Sequence, residues 1–171
     1  MLQKSIEDAL NKQIRIEAES SQVYLSMACW AEIHGFEGIA RFMYLQSDEE
    51  RMHMLKLVKY VNERGGHALI TDLKMPQTTF DTFQQMFEAL YKHELFVSHS
   101  INELVHLTFE GRDYATHNFL QWYVAEQIEE EAQAKSILDK INMIGDDKGG
   151  LYLFDRDILQ ITNKNNTSGN P

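Results

Sequence analysis

The chain has 171 residues, 43% of them hydrophobic, which is enough for one domain with a substantial core and excludes wholesale disorder. Lys+Arg total 16 against 26 for Asp+Glu, a formal charge of −10. That balance excludes a nucleic-acid or anionic-membrane surface and fits a cationic partner such as a metal. One cysteine excludes an internal disulfide framework, and two prolines with nine glycines are too few turn signals for a β-sandwich. No apolar run approaches the ~18 residues of a membrane span. The first residues, Met1-Leu2-Gln3-Lys4-Ser5, enter an amphipathic pattern with no signal-peptide core, so the default compartment is the cytoplasm.

Four long proline-free stretches follow in order. The pattern predicts helices over 5–34, 38–64, 80–110 and 114–144, each stopped by a glycine: Gly35, Gly65, Gly111 and Gly145. Stretches near 30 residues make rods of ~45 Å at ~1.5 Å per residue. Four matched rods pack as a four-helix bundle. Residues 35–37 and 111–113 are short links between antiparallel neighbours, whereas 65–79 can cross the whole bundle. After Gly149-Gly150, an apolar segment from Leu151 through Ile161 predicts a short fifth helix. Residues 1–162 then form one domain, and the polar tail 163–171 is expected to be disordered.

Successive helical residues are about 100° apart, which identifies acids that fall inside an apolar stripe. Glu17 lies among Ile6, Leu10, Gln13, Tyr24, Ala28 and Ala31. Glu50 and His53 share a face with Ile39, Met43, Gln46, Met54, Leu57 and Val61. Glu94 is at the centre of the stripe from Phe80 to Val105. Gln127 and Glu130 lie among Leu120, Tyr123, Val124, Ala134 and Leu138, with Glu131 within the stripe's width. These groups sit near the midpoints of their helices, so they meet at one level. Buried carboxylates repel unless a cation sits between them, and Arg41, Arg51, Lys56 and Lys59 all fall off the second stripe. An oxygen-rich set with one imidazole suits iron or manganese better than structural zinc. Glu103-Leu104-Val105-His106 repeats the Glu-x-x-His pattern of Glu50 and His53. It lies about 180° from Glu94, however, so His99, Glu103 and His106 are expected to face outward. Cys29 reads most simply as a buried apolar residue.

Several stretches together closely resemble the bacterial non-haem ferritins over nearly the whole chain: Phe36-Glu37-Gly38, Asp48-Glu49-Glu50-Arg51-Met52-His53-Met54, Tyr91-Lys92-His93-Glu94, Asn118-Phe119-Leu120-Gln121-Trp122-Tyr123-Val124 and Glu126-Gln127-Ile128-Glu129-Glu130-Glu131. The resemblance implies the ferritin-like fold, with one long crossover and a short C-terminal helix. It implies iron storage in a 24-subunit shell with ferroxidase activity, Fe2+ being oxidised to Fe3+ by O2 or H2O2. By that analogy Glu17, Glu50 and His53 bind the first iron. Glu50 bridges to a second iron held by Glu94, with Glu130 and Gln127 nearby. Glu49, Glu126 and Glu129, sharing Glu130, match a third iron site. Tyr24 is two turns from Glu17, placed to bond a ligand carboxylate or supply an electron.

Haem-binding relatives carry a methionine directly after the bridging glutamate. Arg51 occupies that position here, so no haem is expected. Mini-ferritins that place iron between subunits fit less well, because this chain has a complete set within one bundle. An inert shell and a metal-retaining di-iron oxygenase or peroxide-scavenging enzyme are the rival readings. Di-iron enzymes repeat Glu-x-x-His on two helices. The second copy here is Gln127-x-x-Glu130, and the weaker amide ligand favours iron turnover over a permanent centre.

Overall fold

The computed structural model describes the backbone of residues 2–166 and the side chains of residues 2–160. Among these, all regular structure is helical: α1 (Lys4–Ile33), α2 (Glu37–Glu63), α3 (Phe83–Glu110), α4 (Tyr114–Ile144) and α5 (Lys148–Asn166). Residues 34–36 and 111–113 join antiparallel pairs, as the link lengths predict.

The first, second and fourth stops are glycines at positive φ: Gly35 at 82°, Gly65 at 78° and Gly145 at 58°. Only glycine adopts that backbone without strain. The third stop departs from this expectation. Gly111 is right-handed at φ −71°, and Arg112 takes the left-handed turn at φ 55°. α3 also starts later than predicted. The Thr82 side chain accepts from Gln85 N and so caps the helix there. Phe80 precedes α3 yet is still buried against its base. α5 starts earlier than predicted, because Asp147 carboxylate oxygens accept from Gly149 N at 3.3 Å and Gly150 N at 2.9 Å. Capped this way, the glycine pair opens the helix instead of preceding it. α5 runs to Asn166, four residues into the stretch expected as a disordered tail. Residues 167–171 lie outside the described residues.

The crossover 64–82 follows the outside of α1. Asn11 pairs with it twice, Nδ2 donating to His67 O at 3.0 Å and Oδ1 accepting from Leu69 N at 2.7 Å. Glu19 Oε1 accepts from Lys74 N at 3.2 Å, and Ser26 Oγ donates to Gln77 O at 2.7 Å. The chain thus climbs α1 from one end to the other before α3 begins. α3 is therefore antiparallel to α1, and α4 is antiparallel to α2. Tyr60 OH bonds Thr116 Oγ1, Tyr123 OH bonds the His53 carbonyl, and Gln46 reaches Glu130, a regular antiparallel register. α5 crosses the start of α2. Ile39 N donates to Asp155 Oδ1 at 2.8 Å, and a Cβ at Gly38 would overlap the Asp155 carbonyl oxygen.

The interior has three levels. Trp30, Met43, Phe87, Phe154 and Ile158 belong to one apolar cluster, where α5 closes an end of the bundle. Leu10, Leu57, Val97 and Leu120 belong to a second cluster near the other end. Between them lies a layer of buried polar groups: Gln13, Glu17, Gln46, Glu50, His53, Glu94, Gln127 and Glu130. Each apolar cluster holds the four helices in register, so the polar layer between them is set without contributing hydrophobic energy of its own. Cys29 departs from expectation. It is exposed, because one helical step from buried Ala28 turns it outward. Among the described residues no helix is long and apolar enough to cross a membrane.

Candidate metal centre

The four acids predicted to face the axis all do so. Glu17 and Glu50 are each 1% exposed, Glu94 is fully buried, and Glu130 is nearly so. Glu17 comes from α1, Glu50 and His53 from α2, Glu94 from α3, and Gln127 and Glu130 from α4. Ligand atoms of Glu17, Glu50 and His53 lie within 4.8 Å of one another, a span that one ion can bridge.

The hydrogen bonding is lopsided. Gln13 Nε2 donates to Glu17 Oε1 at 2.8 Å, and Ser100 Oγ fixes Gln13 from behind at 2.7 Å. Tyr24 OH donates to Glu94 Oε1 at 2.8 Å. Gln127 Nε2 points toward Glu94 Oε2 at 3.3 Å and Ser98 Oγ at 3.2 Å. No donor among the described residues serves Glu17 Oε2 or either oxygen of Glu50. His53 Nδ1 stands 3.6 Å from Glu50 Oε2 and 3.9 Å from Glu17 Oε2, too far for a good hydrogen bond. No lysine or arginine among the described residues pairs with any of these acids. Three buried carboxylate oxygens therefore face one another across α1 and α2 with no side-chain cation between them, so only protons or a bound cation can neutralise them. Such an arrangement costs several kcal/mol without a cation.

The proton affinities follow. Burial, then the neighbouring Glu50 charge, pushes Glu17 well above the usual carboxylate range. Burial, then Glu94, does the same to Glu50. Glu130 is raised by burial and by Glu94, and Glu94 is raised by burial against the opposing bonds of Tyr24 and Gln127. Burial also holds Tyr24 well above an ordinary phenol. Next to Glu94, His93 is pushed down to about 4 by burial, so it is neutral near pH 7. It shares a 2.8 Å hydrogen bond with Ser20 Oγ and adds no cation to the layer. Tyr123 and Trp122 frame His53. Tyr123 OH donates to the His53 carbonyl at 2.8 Å, and the Trp122 ring meets the imidazole edge-on at 5.2 Å.

A second group lies on the α2–α4 flank, where ligand atoms of Glu49, His53 and Glu126 are within 4.8 Å of one another. Burial raises the half-buried Glu126 carboxyl, with His53 opposing. Glu129, assigned with Glu49 and Glu126 by resemblance, is exposed and falls outside that group. His99, Glu103 and His106 are exposed on the outer face of α3, as their spacing predicts.

Three amide and hydroxyl partners have roles that the sequence alone does not give: Gln13, Gln46 and Ser98. Gln46 Nε2 bridges the two acid groups, reaching Glu49 Oε2 at 3.3 Å and Glu130 Oε2 at 3.4 Å. The available signal was an amide inside an apolar stripe, which both Gln13 and Gln46 carry. Ser98 left no signal, since serine is at home on any helix face.

A four-helix bundle with one long crossover, enclosing carboxylates and an imidazole that need a cation, defines a carboxylate-type metal-binding bundle. The ferritin-like domain family matches residues 7–144. The chain is 43% identical over 164 residues to a probable bacterial non-heme ferritin-like protein of Haemophilus influenzae, covering 96% of this chain and 99% of that one. It is 42% identical over 161 residues to a bacterial non-heme ferritin of Campylobacter jejuni, covering 94% and 96%. An open-pore ferritin of the archaeon Archaeoglobus fulgidus superposes with a TM-score of 0.90 at 41% identity, over 92% of this chain and 97% of that one. The chain belongs to the ferritin family. It is an iron-storage protein with ferroxidase activity, oxidising Fe2+ to Fe3+.

Proposed function

We propose that the polar layer is an intra-subunit di-iron ferroxidase centre that feeds a mineral cavity in a 24-subunit cytoplasmic shell. The observation that carries this reading is the set of unpartnered oxygens, Glu17 Oε2 and both of Glu50. Glu17, Glu50 and His53 hold one Fe2+. Glu50 has both oxygens free and bridges to a second, held by Glu94 with Glu130 and Gln127. The flank acids Glu49 and Glu126, with Glu129 one turn on, form an outer iron site. Iron is substrate and cargo here, and no haem is assigned, because Arg51 stands directly after Glu50 where haem-binding relatives carry a methionine.

The chain's own groups have distinct tasks. Glu17 and Glu50 carry protons more readily than ordinary carboxyls, so Fe2+ entering the pair displaces protons. The Gln13 amide fixes one oxygen of Glu17 and leaves the other directed at the shared space. Tyr24 fixes Glu94 in the same way from the opposite side. Carboxylates favour the harder Fe3+ over Fe2+, which eases removal of one electron from each iron. O2 accepting both electrons with two protons leaves as H2O2, and H2O2 accepting both with two protons leaves as water. Gln127, a weaker ligand than a carboxylate, helps Fe3+ leave.

Glu50→Ala tests the assignment. The variant is expected to assemble as the wild type does and to lose rapid Fe2+ oxidation. Oxidation at the wild-type rate would overturn the reading.

A further inference from the structure

We propose that Lys56 is the cation that limits how long iron stays at the outer ligands, Glu49 and Glu126. The proposal rests on the outer-site reading given above.

A cavity of about 490 Å³ opens on the α2–α4 flank, lined by Glu49, Met52, His53, Lys56, Lys59 and Trp122. It is a mouth beside the outer group, bordered by its ligands Glu49 and His53. Across this mouth the Lys56 ammonium lies on the Trp122 ring, 3.2 Å from its centroid. Trp122 in turn stands edge-on to His53. Lys56 therefore does not project freely into solvent like a surface lysine. A cation–π contact holds its charge at one place, beside a carboxylate and an imidazole whose ligand atoms are already clustered. Burial lowers the ammonium's proton affinity, and the Glu126 charge raises it.

The inner layer offers a contrast. No cation among the described residues serves Glu17, Glu50, Glu94 or Glu130, so those carboxylates are left to bind metal strongly. At the outer group, a fixed positive charge already offsets part of the negative potential. A metal ion entering there gains less, and a trivalent ion is penalised more than a divalent one, because repulsion scales with charge. Fe3+ formed in the layer passes the outer acids without being trapped on them. Lys59, lining the same cavity, extends the positive potential toward solvent.

The test uses Tb3+, a redox-inert trivalent ion, on the full assembled protein freed of iron. Trp122 lies against both the outer group and His53 of the inner one, so the Tb3+ titrations are run in a Glu17→Gln/Glu50→Gln background, where luminescence excited through tryptophan reads the outer group. Lys56→Met keeps the apolar stem and removes the charge, Lys56→Arg keeps the charge, and Glu126→Gln removes an outer ligand. The expected result is Tb3+ binding at least about fivefold tighter in Lys56→Met than in wild type at about 0.05 M salt, with Lys56→Arg unchanged. The difference should shrink below about twofold at about 0.5 M salt, where screening acts over only a few ångströms. After aerobic loading, Lys56→Met should also keep more Fe3+ on protein ligands and less in mineral, as resolved by iron Mössbauer spectroscopy.

If Lys56→Met binds Tb3+ as wild type does while Glu126→Gln binds it more weakly, the outer site stands and the role of Lys56 is overturned. If Lys56→Arg shifts as far as Lys56→Met, Lys56 acts through packing on Trp122 and the proposal is likewise overturned. If Glu126→Gln leaves the Tb3+ signal unchanged, the outer-site reading fails and takes the proposal with it.

Discussion

Consider Glu50→Gln in the metal-free protein. Glu50 is 1% exposed, and neither of its oxygens has a donor among the described residues. At pH 7 the wild type must hold a bare charge there or keep the carboxyl protonated against an ordinary value of 4.5. The second route caps the cost at about 3 kcal/mol, from about 1.4 kcal/mol for each pH unit. Glutamine is neutral and nearly isosteric, and Glu17 Oε2 has room to accept from its amide. The expected gain is about 1–3 kcal/mol, less than the cap because an amide also pays to be buried. For a chain of this size that raises Tm by roughly 2–10 °C.

The pH dependence fixes the sign. A carboxyl whose folded value is raised gives full stability below its unfolded value, and that stability is lost as pH rises through the folded value. The advantage of glutamine should therefore be largest near pH 7.5 and shrink near pH 5. The assay is thermal unfolding of chelator-treated wild type and variant at one scan rate and both pH values. Added Zn2+ should raise the wild-type Tm more than the variant's. A variant no more stable at pH 7.5, or equally favoured at both pH values, would refute the idea that this layer is strained without metal.

Two further outcomes follow from the geometry. Tyr24→Phe removes the donor to Glu94 Oε1 and is expected to slow stoichiometric Fe2+ oxidation by about tenfold with assembly intact, the effect of one hydrogen bond to a charged group, measurable by stopped-flow absorbance. Gly38→Ala places a methyl on the Asp155 carbonyl, so α5 must lift from α2 and uncover Phe154 and Ile158. Limited proteolysis should then cut α5 faster than in wild type, with unchanged cutting as the contrary result.

Much of the centre was legible because helical spacing fixes direction. Glu17, Glu50, His53, Glu94, Gln127 and Glu130 fall inside apolar stripes, and the structure buries every one of them. The same rule turned Glu103 and His106 outward despite their matching motif. What stayed hidden depends on quantities that spacing does not set. The bonds from Gln13 to Glu17, and from Gln46 to both Glu49 and Glu130, require the rotation and rise of neighbouring helices to within a fraction of a turn. Cys29 is exposed although its apolar character points inward, because its angle is a full step away from Ala28. The early start of α5 gives no sequence signal, because a glycine pair reads as a breaker, whereas Asp147 satisfies both of its amides. The left-handed turn after α3 falls on Arg112, a residue type that gives no warning of it.

The most direct test of the central claim is the rate of Fe3+ formation when about two Fe2+ per chain meet the metal-free protein in air, beside a protein-free control. A rate far above the control, saturating near that ratio and lost in Glu50→Ala, is the predicted result. A rate equal to the control would contradict the assignment of the buried layer as a ferroxidase centre.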